Sequence, residues 1–330
     1  MTPANDTLAC PLEITPQCAG QTLADWAQER RDGLEALLIE HKALLFRGFA
    51  HSGGLETISP AFFDSRIAYT YRSTPRTSLG QDVFTATEYP RKLWIAQHCE
   101  NAYQLVWPLK LLFHCVEPAT SGGRTPLADT IRVTEAIDPA VKEEFARRRV
   151  KYVRNYRPGV DLPWEEVFGT SNRAAVEQFC RANRIAFEWT DGGLRTSQVC
   201  HAFASHPVTR ERVWFNQAHL FHVSTLEAPA QAMMLSMFGE QGLPRNSYFG
   251  DGGAIPAPVL EHIRAAYGSQ LIFFDWKHAD VLLIDNMLVS HGREPYEGPR
   301  KVHVCMSQAY SPSGVHVTDV DEAELVKSHV

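Results

Sequence analysis

The sequence predicts a mainly β protein with flanking helices: one barrel-like domain interrupted by a long α/β insertion. Three observations carry that expectation. Strand-like apolar runs concentrate before about residue 135 and again after about 250. Between them, over about 135–250, helical and strand-like patterns alternate. No internal repeat and no low-complexity linker divides the chain, so a single domain over 1–330 fits better than two independent ones.

Taken in chain order, QTLADWAQERRDGLEALLIE (about 21–40) has a helical apolar stripe of Leu23, Trp26, Leu34, Leu37 and Leu38, which Gly33 weakens. ALLFRGF (43–49) reads as a short buried strand. Residues 50–97 begin with a stretch rich in Gly, Ser, Thr and Pro. So long an irregular segment inside a compact domain is usually functional, and a substrate lid is expected there. LWIAQHCENAY and LKLLFHCVEPA are strands separated by Trp107-Pro108, and SGGRTPLAD turns and re-enters as a strand.

The insertion opens with DPAVKEEFARRR (138–149), a helix with Asp138 as cap and Pro139 at its first position. VKYVRNY is a strand, and NRAAVEQFCRANR is a helix capped by Ser171 or Asn172. FEWT and RVWFNQ are strands, and a helix starts at about Pro256. LIFFDW, ADVLLIDNMLVSHGR and RKVHVCMSQAY close the chain as strands.

Composition excludes several classes. Hydrophobic content of 44% and charged content of 21% are ordinary for a globular protein. The 38 acidic and 32 basic residues give a net charge of −6 without a long run of one sign. That leaves no nucleic-acid footprint and no basic membrane anchor. No apolar run approaches the roughly 18 residues of a membrane span. The N-terminus lacks the basic start and apolar core of a signal peptide. Seven scattered cysteines without a CxxC pair point to reduced thiols in a cytoplasm.

The chemistry-bearing pattern is His98-Cys99-Glu100 with a distant His291. Side chains two apart on a strand share a face, so His98 and Glu100 aim together and Cys99 aims away. Two imidazoles and a carboxylate on one face of a metal form the facial triad of non-haem iron(II) oxygenases, with coordination positions left open. His291 follows an apolar strand and opens the turn HGREPYEG, a placement that suits a barrel mouth. Arg300 opens the next β-run, where a guanidinium fork can hold a carboxylate, and Thr125 can add a hydroxyl. A rival pair, His219 and His222, shares a face only if HLFH is helical, and no HExxH motif accompanies it. Those two histidines are read as structural.

The segments around these residues resemble the taurine dioxygenase (TauD/TfdA) family, closest to its clavaminate-synthase-like and SyrP-like branch. They are RSTPRTSLG, TATEYP, HCENAY, SGGRTPLAD, WEEVFGT, LRTSQV, HPVTRERVWFNQAHLFHVSTL, LPRNSYFGDGGAIP, ADVLLIDNMLVSHGREPYEGPRKV and VCMSQAY. The resemblance spans about Arg72 to Ser307. It implies a double-stranded β-helix (jelly-roll, cupin-like) core. It also implies Fe(2+) on His98, Glu100 and His291, and 2-oxoglutarate held by Thr125 and Arg300, with O2 as the other co-substrate. The implied reaction releases succinate and CO2 while an unactivated carbon of an amino acid or derivative, free or on a carrier protein, is hydroxylated. Desaturation, cyclisation or another oxidative rearrangement would use the same machinery. The carboxylate at position 100 argues against halogenation, because family halogenases lose that ligand. HCENAY departs from the expected HNE followed by Met-Ser, which marks Asn101-Ala102 as a place where the substrate side differs. Arg72, Arg76, Arg195, Asn216 and Arg293 are the expected substrate contacts. The reading from another class is a jelly-roll protein that binds metal or carboxylate without redox turnover.

Overall fold

The computed structural model describes residues 10–50, 53–69, 71–157, 159–191 and 193–312. Two sheets face each other. The larger has seven strands in the order Leu12–Ile14, Ala43–Phe46, Val281–Asp285, Trp107–Glu117, Lys301–Tyr310, Val83–Thr85 and Ser78–Gly80. The smaller has four, in the order Leu271–Ile272, Leu127–Asp129, Val289–Arg293 and Ile95–His98. Together they make a double-stranded β-helix.

Alternation along the strands explains why the large sheet reads as continuous apolar runs. Leu45, Phe113, Leu282, Ile284, Val304 and Met306 point inward and share one core with Leu127 and Val289 of the small sheet. Leu44, Phe46, Leu112, Val281, Leu283 and Cys305 point outward beneath the helices Leu23–Glu29, Arg31–His41 and Leu55–Ile58. A sheet covered on both faces needs apolar residues at every position. Between the two blocks of strands, a separate four-stranded antiparallel sheet (Ala186–Thr190, Gly193–Cys200, Val150–Tyr156, Arg245–Phe249) packs with its own helices around a third core. Among the described residues, no helix is long and apolar enough to cross a membrane.

Several elements differ from the sequence expectation for local reasons. The first helix is two, broken at Arg30, with Thr22 capping the first through Asp25. Trp107-Pro108 lies inside the long strand instead of interrupting it. Pairing with Val281–Asp285 stops at Lys110, so Pro108 sits beyond that neighbour, where proline is tolerated. The helix Thr130–Ala136 was not expected. It starts because the Asp129 carboxylate accepts the backbone N–H groups of Ile131 and Arg132. ADVLLIDNMLVSHGR is two strands, not one. Asp285 accepts the N–H groups of Met287 and Leu288 and turns the chain, which puts His291 in mid-strand and not at a loop boundary.

Candidate metal centre

The small sheet brings the two distant histidines together by register. His98 and His291 are direct cross-strand partners in an antiparallel pair. Such partners project to the same face with Cβ atoms only about 5 Å apart, and the two ring centroids lie 4.4 Å apart. Gly292 permits this approach, because a Cβ there would sit 2.6 Å from the Ile95 carbonyl oxygen. Glu100 lies two residues past His98, just beyond the strand end, and returns to the same face. Asn101 follows at φ 58°, a left-handed turn that asparagine tolerates well. Cys99 points the other way, into a cluster with Trp107, Val213, Phe215 and Met287. The donor atoms of His98, Glu100 and His291 all fall within 4.8 Å of one another.

Each donor is held by a second residue. His98 Nδ1 lies 2.9 Å from the Ala96 carbonyl, so the proton sits on Nδ1 and Nε2 keeps its lone pair. Tyr69 donates to Glu100 Oε1 at 3.1 Å, and Arg76 donates to Glu100 Oε2 at 2.5 Å. The Asn286 side chain accepts the Glu100 N–H at 2.7 Å and donates to the carbonyls of Glu100 and Pro108. Gln97 bonds Pro126 on one side and Ser290 on the other, locking the strands that carry the histidines. His219 donates to the Gln97 carbonyl, and Gln217 donates to that of Cys99. The QAHLFH segment thus supports the backbone on both sides of His98. His222 accepts the Ser224 N–H.

Electrostatics favour metal-ready protonation. Burial pushes both His98 and His291 below the ordinary imidazole range, His291 well below it. Burial works to raise the Glu100 carboxyl, but the Arg76 charge and the bonds from Arg76 and Tyr69 outweigh it and hold it low. The set is therefore two neutral imidazoles and one carboxylate. His291 Nδ1 is buried without a hydrogen-bond partner among the described residues. This donor set fits iron(II) with open positions.

A pocket adjoins the cluster. His98 and His291 line one part of it, and Thr125, Arg293 and Arg300 line another. Arg300 comes from the start of a strand in the large sheet and reaches between the sheets; the expectation of a strand next to that of His291 does not hold. Its Nε donates to the Gly123 carbonyl at 2.8 Å and its Nη2 to Thr125 Oγ1 at 3.3 Å. No carboxylate pairs with it among the described residues, and burial, with Arg293 adding, pushes it down to about 10. Thr125 Oγ1 also accepts Trp276 Nε1 at 2.9 Å, which leaves its own O–H to donate elsewhere. A buried cation beside a free hydroxyl donor is a ready seat for a carboxylate.

The other expected residues separate clearly. Arg76 and Arg293 line the cavity. Arg293 donates to the carbonyls of Tyr89, Pro90 and Leu93, fastening that loop to the strand of His291. Arg72 faces Glu166 and the Arg76 carbonyl, Arg195 bonds Gln241, and Asn216 bonds Ala202 and the Ala218 N–H. These three do not reach the cavity. Sequence reasoning missed Asn286, Tyr69, Gln97 and Trp276. Only Asn286 left a signal, a polar residue inside the apolar run LLIDNMLV.

A double-stranded β-helix holding two histidines and a carboxylate beside a cationic pocket defines the class of iron(II)- and 2-oxoglutarate-dependent oxygenases. Residues 10–306 match the model of the taurine catabolism dioxygenase TauD, TfdA family, and the chain belongs to that family. It is 42% identical over 283 residues to dapdiamide synthesis protein DdaC of Enterobacter agglomerans, covering 85% of this chain and 86% of that one. It is 30% identical over 286 residues to a clavaminate synthase-like protein of Arabidopsis thaliana, covering 82% of each. Among solved structures, it resembles PvcB, an Fe, alpha-ketoglutarate-dependent oxygenase from an isonitrile synthetic pathway. There the TM-score is 0.52 at 16% identity, with 92% of this chain and 89% of that chain covered. AAD-2 in complex with Mn(II) and N-oxalylglycine aligns with TM-score 0.51 at 14% identity over 92% of this chain and 96% of that one. The protein is an Fe(II)/2-oxoglutarate-dependent dioxygenase.

Proposed function

We propose that His98, Glu100 and His291 hold the iron, that Arg300 and Thr125 hold the distal carboxylate of 2-oxoglutarate, and that the enzyme hydroxylates an unactivated carbon of an amino acid or derivative. The single observation that carries this reading is the shared cavity. Its wall includes the cross-strand histidines and an arginine that has no carboxylate partner among the described residues. When bound, the iron supplies redox chemistry that couples decarboxylation of 2-oxoglutarate to oxidation of the substrate. The protein's own tasks are orientation and exclusion of side reactions. Arg300 and Thr125 set the direction of 2-oxoglutarate. We take the Tyr89–Leu93 loop, which Arg293 fastens to the strand of His291, as part of the expected lid. The relative with 42% identity takes part in dapdiamide synthesis, which supports a place in small-molecule biosynthesis.

The test is succinate release. Anaerobically prepared protein receives Fe(II), 2-oxoglutarate, O2 and a pool of amino acids and their N-acyl derivatives. Substrate-stimulated succinate above the His291→Ala background is expected. Its absence would sink the reading.

A further inference from the structure

Arg76 braces Glu100 but has no other assigned task, and it is 6% exposed and lines the same cavity. It enters from the chain just before the Ser78–Gly80 strand. Its Nη2 donates to Glu100 Oε2 at 2.5 Å and to Thr87 Oγ1 at 3.3 Å, and its guanidinium carbon lies 4.6 Å from the centre of the Tyr69 ring. Its Nε and Nη1 are buried and have no hydrogen-bond partner among the described residues. A guanidinium offers five N–H donors, so Glu100 and Thr87 leave most of this one unused.

The charge of the wall points the same way. Arg76, Arg293 and Arg300 line the cavity, and no aspartate or glutamate is among its lining residues. Glu100 answers Arg76, and the distal carboxylate of 2-oxoglutarate answers Arg300. An ammonium group on the substrate would meet no acid on this wall. A carboxylate would meet idle, desolvated N–H donors on Arg76, where hydrogen bonds to a charged group are strongest.

We propose that Arg76 is the specificity-determining anchor for the substrate's carboxylate, which it binds through Nε and Nη1 while Nη2 keeps Glu100. The proposal rests on the oxygenase reading above and names the substrate class of that site: an acid, with any ammonium group turned away from the cavity wall. One guanidinium then touches both the substrate and the carboxylate beside the iron. An anion on Nε and Nη1 draws its charge away from Glu100, so substrate binding is felt at the iron without a moving backbone.

The experiment is an anaerobic titration of protein loaded with Fe(II) and 2-oxoglutarate, read by the visible absorption of that complex. The probes are the amino acids and their N-acetyl derivatives, each tested as the free acid and as the carboxamide. Wild type is expected to bind the responding acids at least tenfold more tightly than their carboxamides. Arg76→Lys keeps a cation beside Glu100, so it is expected to retain iron by metal analysis and to lose most of that preference. Arg76→Gln is expected to lose it as well, with a thermal melt reporting that the chain is folded. Carboxamides that bind wild type as well as the acids would overturn the proposal. So would an undiminished acid preference in folded Arg76→Lys and Arg76→Gln. A wild-type protein that binds no iron and releases no succinate would instead overturn the oxygenase reading beneath it.

Discussion

Replacing Arg300 by methionine separates the two halves of the site. Burial, with Arg293 adding, pushes the guanidinium from the ordinary arginine range down to about 10. At roughly 1.4 kcal/mol per pH unit, that corresponds to about 3 kcal/mol held against the charged form. Arg300 is still charged at neutral pH, so the ligand-free protein carries this cost and a bound dianion relieves it. Removing one partner of such a pair costs about 3–5 kcal/mol. Arg300→Met is therefore expected to weaken 2-oxoglutarate by at least about 100-fold. Ligand-free stability should change in the opposite direction. Losing the bonds to Gly123 and Thr125 costs about 1 kcal/mol each, against about 3 kcal/mol of relieved desolvation, so the variant should be about 1 kcal/mol more stable in urea. The pH sign follows from the same base. Its folded pKa lies below its unfolded one, so the penalty is full below about 10. The ligand-free protein gains stability as pH rises above about 10 towards the ordinary arginine range, while 2-oxoglutarate affinity falls over that window. Anaerobic calorimetry of the iron-loaded variant, with metal analysis beside it, is the assay. Loss of iron, or an affinity within fivefold of wild type, would refute the assignment of Arg300.

Other perturbations test the supports of the site. Asn286→Ala strands three buried backbone groups at Glu100 and Pro108, so denaturant unfolding should show at least about 3 kcal/mol of destabilisation at about 1–3 kcal/mol per group, and iron stoichiometry should fall with it. Arg293→Ala frees three carbonyls of the Tyr89–Leu93 loop; native-state trypsin should then cut after Arg91 or Lys92 at least about tenfold faster, as local opening becomes easier by about 1.5–3 kcal/mol. Among the described residues Cys18 is the exposed thiol, while burial pushes Cys10, Cys115, Cys180 and Cys305 up to about 12 and Cys99 and Cys200 higher still. A thiol reagent at neutral pH should therefore label about one cysteine quickly in the native protein and all seven only after unfolding.

Much of this was legible because it is periodic or punctuated. Apolar runs marked the buried strands, and Asp138-Pro139 and Asn172 marked two helix starts, where the structure has them. The break at Arg30 and the turn at Asn286–Leu288 were not legible, since each sits inside an unbroken apolar pattern and depends on hydrogen bonds that the pattern does not encode. At the site, HxE spacing placed His98 and Glu100 on one face, but nothing local announced that His291 would be the register partner of His98. That pairing depends on strands almost two hundred residues apart. Arg72, Arg195 and Asn216 showed the opposite failure. As polar residues in suggestive segments they looked like contacts, but they bond backbone or neighbouring side chains away from the cavity.

The division of labour between strands and loops explains why HCENAY can depart from the family pattern without losing the cluster. The two histidines are fixed by main-chain pairing, and Glu100 is fixed through its own backbone by Asn286. None of these constraints reads the side chains of Cys99, Asn101 or Ala102. Cys99 needs only to fit an apolar cluster, and Asn101 only to take a positive φ. Arg76, by contrast, comes from the irregular stretch before the edge strands, which no sheet on the far side constrains. Substitutions there can retune what the cavity accepts while the metal cluster stays in register. Under the roles proposed for Arg76 and the metal ligands, the metal-binding geometry belongs to the sheet, and substrate choice belongs to the segment from Tyr71 to Trp94.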